Sequence, residues 1–189
     1  MSTANCIVQH SSQTDLWYSP KDILEKVKNV LGVIDFDPAS DPFGNSRVGA
    51  QQYLSAEDNG LDLAKWPKNP VSVYLNPPGG KSGNQSNTAL FWMALMKYRM
   101  MYPIRHAIFM CFSAEALQTT QNKGYCSAAN FMVCIPSKRL TFDDHLGNPG
   151  CAPSHSNAIV YVPGSLNRGD LFETEFADIG AIMCGRCMR

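Results

Sequence analysis

The sequence predicts a single α/β domain, with a mixed, mostly parallel sheet flanked by helices. Three observations lead there. The chain has 189 residues, enough for one domain with a sizeable core. Short β-branched and aromatic runs alternate with longer segments of helical periodicity, the order from which layered α/β sheets are built. The most sharply bounded run, Val-Ser-Val-Tyr-Leu at residues 71–75, stops at Asn76-Pro77-Pro78, and open α/β sheets place ligands at such strand ends.

Taken in order, residues 1–14 are polar and aperiodic, an expected flexible lead-in to a domain over 15–189. Residues 21–31 carry Ile23, Leu24, Val27, Val30 and Leu31 at helical spacing, with Ser19 the expected N-cap, Pro20 the first helical residue and Gly32 the stop. Residues 33–37 alternate like a strand that Asp37-Pro38 ends. Residues 39–46 then read as a loop rich in Pro, Gly, Asn and Asp, and 48–54 as a second strand. A turn over 55–61 contains Asn59-Gly60, a pair able to take positive φ. After the 71–75 strand, residues 79–87 read as a polar, flexible loop. A helix over 88–98 presents Leu90, Phe91, Ala94, Leu95 and Tyr98 as an apolar face, and the methionines around it read as core or interface filler. Strands follow at 105–113 and 130–136, with a helix capped by Ser113 between them. Residues 137–142 lie at the sheet edge, 143–157 form a loop and 158–162 a last strand. No element is assigned beyond Pro163.

The Asn-Pro-Pro turn has a chemical consequence. Pro77 restricts Asn76 to extended backbone, and neither proline has an N–H to continue a ladder. Asn76 is therefore held rigidly at a strand's carboxyl end, and two fixed φ angles aim the Pro77 carbonyl. The Asn76 side-chain oxygen and the Pro77 carbonyl are two acceptors suited to grip one NH2 group.

The stretch resembles the Asp/Asn-Pro-Pro-aromatic motif of amino-group DNA methyltransferases. More of the chain is similar to the small phage-type DNA N6-adenine methyltransferases: Trp17-Tyr18-Ser19-Pro20, Phe36-Asp37-Pro38-Ala39-Ser40, Asp58-Asn59-Gly60-Leu61 with Trp66, residues 134–142 and residues 158–161. These pieces occur in order over roughly residues 15–165. The resemblance implies a compact Rossmann-like methyltransferase fold, S-adenosylmethionine as methyl donor, and double-stranded DNA with a flipped adenine as substrate. It implies a catalytic stretch of Asn76, Pro77, Pro78 and Gly79. Cofactor residues follow by the same route: Tyr18, Ser19 and Pro20 at the methionine end, with Asp37, Pro38 and Ser40 at the first strand. Asp37 suits either the ammonium group or a ribose hydroxyl, and Asp58 either the ribose or the adenine amine. Trp17 and Tyr18 have a plainer role open to them, stapling the first helix onto the sheet. Gly79 departs from the family, which has an aromatic residue there to stack on the extruded base. Trp92 is the candidate replacement, with core packing as its other reading, and Lys81, Lys138 and Arg139 are candidate phosphate contacts. A phage or prophage gene expressed in a bacterial cytoplasm is implied in the same way.

Composition narrows the field. Hydrophobic content of 44% and charged content of 17% fit a folded globular chain, and no apolar run reaches a membrane span. The seven cysteines lie among apolar neighbours, as reduced thiols do, and no secretory signal is evident. The Cys184-x-x-Cys187 pair lacks the second pair of a zinc site, and no metal is expected. Lys+Arg and Asp+Glu balance at 16 each, which argues against tight, independent DNA binding. Two other readings stay open: a non-catalytic DNA- or protein-binding relative, and a different base-modifying enzyme on the same scaffold.

Overall fold

The structure, a computed structural model, describes residues 17–150 and 155–185. The expected lead-in over 1–14 lies outside the described residues. Helix α1 (Lys21–Leu31) buries all five apolar residues that its periodicity marks, and Gly32 ends it at φ 70°. Ser19 does not cap it. Pro20 takes the N-cap position, and the Ser19 hydroxyl instead pairs with the buried Tyr74 hydroxyl at 2.6 Å.

The first strand is short, β1 (Phe36–Asp37). Most of the loop expected over 39–46 is helix α2 (Pro42–Val48). Asp41 caps it by accepting from the Gly44 N–H at 2.7 Å, and Pro42 holds the first position. Asp-Pro is a helix-start signal, masked in the sequence by the Gly and Asn around it. Strands β2 (Gln52–Tyr53) and β3 (Ser72–Leu75) follow, the latter buried throughout. The expected flexible loop after Pro78 is a hairpin, β4 (Lys81–Ser82) with β5 (Gln85–Ser86). Gly83 supplies φ 62° at the first turn position, where a two-residue hairpin demands positive φ.

Helix α3 (Asn87–Met101) outruns its expected length, with Ser86 as its cap. It buries Ala89, Trp92 and Met96 besides Phe91, Ala94, Leu95 and Tyr98, whereas Leu90 is only half-buried. The rest of the chain supplies β6 (His106–Cys111), α4 (Ala114–Thr120), β7 (Met132–Pro136) and β8 (Ala158–Pro163). Past Pro163 the chain forms two further elements that the sequence did not announce, α5 (Gly169–Phe176) and β9 (Gly180–Met183).

The seven-stranded sheet has the order β2-β1-β3-β6-β8-β7-β9. Neighbours from β2 to β6 pair parallel, and β8 and β9 run against the rest. This is the α/β sheet flanked by helices that the pattern of runs predicts. Alternate residues of the strands feed two cores. Val73, Leu75, Ala107 and Phe109 face α3 and α4, whereas Tyr74, Ile108 and Met110 face α1 and α5. Cys111, Cys126 and Cys134 are buried free thiols. Among the described residues no helix is long and apolar enough to cross a membrane.

One buried group ties this fold to pH. His106, at the amino end of β6, faces the Leu31 carbonyl through Nε2 at 3.2 Å, so that nitrogen carries the proton. Nδ1 lies 3.4 Å from the Tyr161 hydroxyl, which itself accepts from the Arg168 N–H. Burial pushes the imidazole down to about 4, so it is neutral in the fold and protonates more readily in the unfolded chain. Its contribution is complete above the unfolded value near 6.5 and is lost as pH falls from there towards 4. We expect His106→Gln, which keeps a donor for Leu31, to gain on wild type by roughly 2 kcal/mol between pH 7.5 and 5 in urea unfolding. An unchanged difference between the two pH values refutes the assignment.

Candidate active site

The chain leaves β1 for β2 on one side and crosses back to β3 on the other, so strand order reverses at β1. Ligand crevices of open α/β sheets form at that reversal, outside the carboxyl ends of the strands. A cleft lies there. Its wall comes from residues 37–41 after β1, Ser55, Ala56 and Gly60 after β2, Asn76 and Pro78 after β3, and residues 17–19. Gly60 has to be glycine, because a Cβ there would stand 1.8 Å from the Pro38 carbonyl oxygen. That close approach fixes the two loops against each other.

Asp37 is 2% exposed at the tip of β1. Burial pushes its carboxyl up to about 7, against the pull of hydrogen bonds from the Ala39 N–H and the Ser40 side chain. An acid buried without a cation beside it is poised to take its charge when a cationic or multiply donating ligand arrives. Tyr18 lines the same cleft and donates to Asp41 at 2.6 Å, while its ring meets Phe43 edge-on. Its backbone bridges to Asp143 in both directions, at 3.0 and 2.8 Å. Arg47, from the last turn of α2, donates through Nη2 to the Ser19 carbonyl and to the Asp143 carboxylate.

Asn76 lines the same cleft as Asp37, one strand over. Adjacent strands lie about 4.8 Å apart, so β1 and β3 deliver the two side chains to one edge. Asn76 Nδ2 donates to the Trp17 carbonyl at 2.8 Å. A carbonyl only accepts, so this bond settles which end of the amide is nitrogen. The other end, Oδ1, is buried and has no hydrogen-bond partner among the described residues. Arg47 Nε is in the same condition. These two are the buried, unsatisfied side-chain atoms of the described chain, and both belong to residues of this one cleft. Leaving such a group unpaired costs about 1–3 kcal/mol, and more for a charged one. Two of them together on one cleft make it the candidate site.

Other sequence-predicted residues fall elsewhere. Pro78 lines the cleft, whereas Pro77 is buried behind it. Pro20 is the N-cap of α1 and is not part of the wall. Asp58 is occupied in its own turn, accepting from the Ser55 N–H at 2.9 Å and the Ser55 hydroxyl at 2.8 Å, and stays outside the wall. Asn59 takes the positive φ expected of it, at 58°. Trp92 is fully buried between Phe109 and Phe131, with its indole N–H on the Cys126 carbonyl at 2.9 Å. It cannot stack on a base. Gly79 and Lys81 line a second, more polar cleft with Phe112, Ser113, Lys123 and His155. Lys138 and Arg139 are exposed and belong to neither cleft.

Sequence reasoning missed Arg47, Asp41, Tyr74, Asp143 and Phe112. Arg47 and Asp41 belong to a helix hidden by turn-type composition, and a Asp-Pro start was the signal available. Asp143 is 96 residues from its arginine, and only the fold joins them. Phe112 is half-buried at the carboxyl end of β6, its ring 5.2 Å from Phe142. No family model, no curated protein and no solved structure matches the chain.

Proposed function

We propose that this chain transfers a methyl group from S-adenosylmethionine to the N6 amine of adenine in DNA, on a compact Rossmann-like methyltransferase fold. One observation carries the proposal: Asn76 Oδ1, an orphaned acceptor on a rigid turn, beside a cleft with a buried acid. The side chains present fit the cofactor. Asp37 and Ser40 offer acceptors to its ammonium or ribose groups, and Tyr18 and Ser19 border the space for its methionine arm. When bound, the cofactor supplies an electrophilic sulfonium methyl for in-line transfer, in which the carbon–sulfur bond breaks as the carbon–nitrogen bond forms.

The protein's part is to hold the amine. An exocyclic purine amine is a poor nucleophile because its lone pair is delocalised into the ring. Asn76 Oδ1 accepts one N–H, which draws the nitrogen towards tetrahedral geometry and frees its lone pair, while Pro77, buried and off the cleft wall, holds the turn rigid. No base is needed beforehand, because the nitrogen becomes acidic only once it carries the methyl. Positioning and fixed dipoles supply the rate.

Gly79 gives specific weight to a second reading, a different amine-bearing substrate on the same scaffold. Incubation with labelled S-adenosylmethionine and unmethylated double-stranded DNA separates the possibilities. Label recovered as N6-methyladenine supports the first reading. Cofactor binding without transfer to DNA favours the second. Neither binding nor transfer leaves a fold without this chemistry and defeats the proposal.

With Trp92 sealed in the core, Phe112 is the aromatic side chain on the wall of the Gly79 cleft. We assign it the stacking role. Base–aromatic stacking is worth about 1–3 kcal/mol, so Phe112→Ala should weaken DNA binding by roughly tenfold or more in fluorescence anisotropy. Affinity for S-adenosylhomocysteine should stay unchanged. Loss of both together points to collapse of the Phe112–Phe142 contact instead.

A further inference from the structure

We infer that Arg47 binds the amino-acid carboxylate of the cofactor through its unpaired Nε–H. This rests on the methyltransferase reading above and adds to it the residue that recognises the anionic end of a zwitterion. The guanidinium is not free to search for a partner. Nη2 is fixed by the Asp143 carboxylate and by the Ser19 carbonyl at 3.0 Å, and the Phe43 ring lies 5.8 Å from the guanidinium carbon. The side chain is 10% exposed. Three anchors thus hold the group in one orientation, and that orientation leaves a buried N–H with no acceptor among the described residues.

The chemistry of the missing partner follows from the donor. A guanidinium N–H only donates, so the ligand must bring an acceptor, and a charged one suits a buried cation best. The three carboxylates around Arg47 and the cleft each already accept from a protein donor. Asp143 is bound to Nη2, Asp41 accepts from the Tyr18 hydroxyl and the Gly44 N–H, and Asp37 accepts from Ala39. Among the described residues none accepts from Nε, and a bound ligand can bring the acceptor. The same cleft offers Asp37 to a cation or hydroxyl and Arg47 to an anion. A free amino-acid arm, with ammonium and carboxylate on one carbon, carries the matching pair.

Calorimetric titration of S-adenosylhomocysteine and 5′-methylthioadenosine into wild type and Arg47→Lys tests this. The second ligand keeps the nucleoside and thioether but lacks the amino-acid arm. Lysine keeps the charge opposite Asp143 and removes the Nε–H. S-adenosylhomocysteine is expected to bind the variant at least tenfold more weakly, and 5′-methylthioadenosine within twofold of wild type. Equal losses for both ligands, or no loss for either, overturn the assignment and leave the methyltransferase reading standing. Failure of wild type to bind either ligand overturns both. Should Arg47→Lys not fold, wild type decides: the primary amide of S-adenosylhomocysteine should bind at least tenfold more weakly than the acid, and equal binding refutes the role.

Discussion

Asn76→Ala should reduce methyl transfer to DNA by roughly 10²- to 10³-fold while leaving affinity for S-adenosylhomocysteine within about twofold of wild type. The size is that of losing one preorganised hydrogen-bonding group at a reacting centre. The split between rate and binding follows from the proposed mechanism, in which Asn76 acts on the target amine and not on the cofactor. Stability should barely move. The variant loses the bond from Nδ2 to the Trp17 carbonyl, worth about 1 kcal/mol, and also loses the buried, unpaired Oδ1, which costs a similar amount. Asn76→Asp is the sharper companion. It sets a carboxylate oxygen against the Trp17 carbonyl, two acceptors with no proton between them. We expect a lower Tm than wild type and a loosened Trp17 segment, read as faster hydrogen exchange at residues 17–19. Transfer at the wild-type rate by Asn76→Ala removes the amine clasp from the mechanism altogether.

What the sequence disclosed follows from how local each signal is. The Asn-Pro-Pro turn is wholly local, since two prolines dictate the backbone without help from the fold, and Asn76 stands where that argument put it. The same holds for α1, whose five buried residues follow directly from helical spacing. Elements with mixed local signals went astray. Helix α2 hides among Gly, Asn and Asp, and the hairpin after Pro78 has no apolar alternation to mark it. Trp92 illustrates a different limit. Its helical phase allows either face, and only the closure of Phe109 and Phe131 around it decides for the core. Arg47 and Asp143 lie further out of reach. Their pairing depends on where α2 ends and on how residues 137–143 return past Tyr18, and no window of sequence holds both facts.

Asp37→Asn should stabilise the ligand-free protein above pH 7 and abolish tight cofactor binding, two opposite effects of one atom. In the unfolded chain the carboxyl titrates near 3.8, and in the fold near 7. A folded value above the unfolded one means that stability is greatest below pH 3.8 and falls as pH rises through the window up to about 7. At pH 8 the folded protein carries a buried carboxylate at a cost of a few kcal/mol, on the order of 4 for a shift of this size. Asparagine keeps an acceptor for the Ala39 N–H and never ionises. Its advantage over wild type in urea unfolding should therefore be small near pH 4, grow towards pH 7 and level off above it. Equal advantages at pH 5 and pH 8, or destabilisation at pH 8, contradict the buried-acid account. The wild-type protein should show the complementary behaviour on binding. Affinity for S-adenosylmethionine should rise with pH through about 7, with release of a proton detectable as a dependence of binding heat on buffer ionisation enthalpy. Asp37→Asn should lose that dependence together with most of the affinity. The buried acid thus costs stability in the ligand-free protein, and on the proposed reading the cofactor's ammonium group offsets that cost.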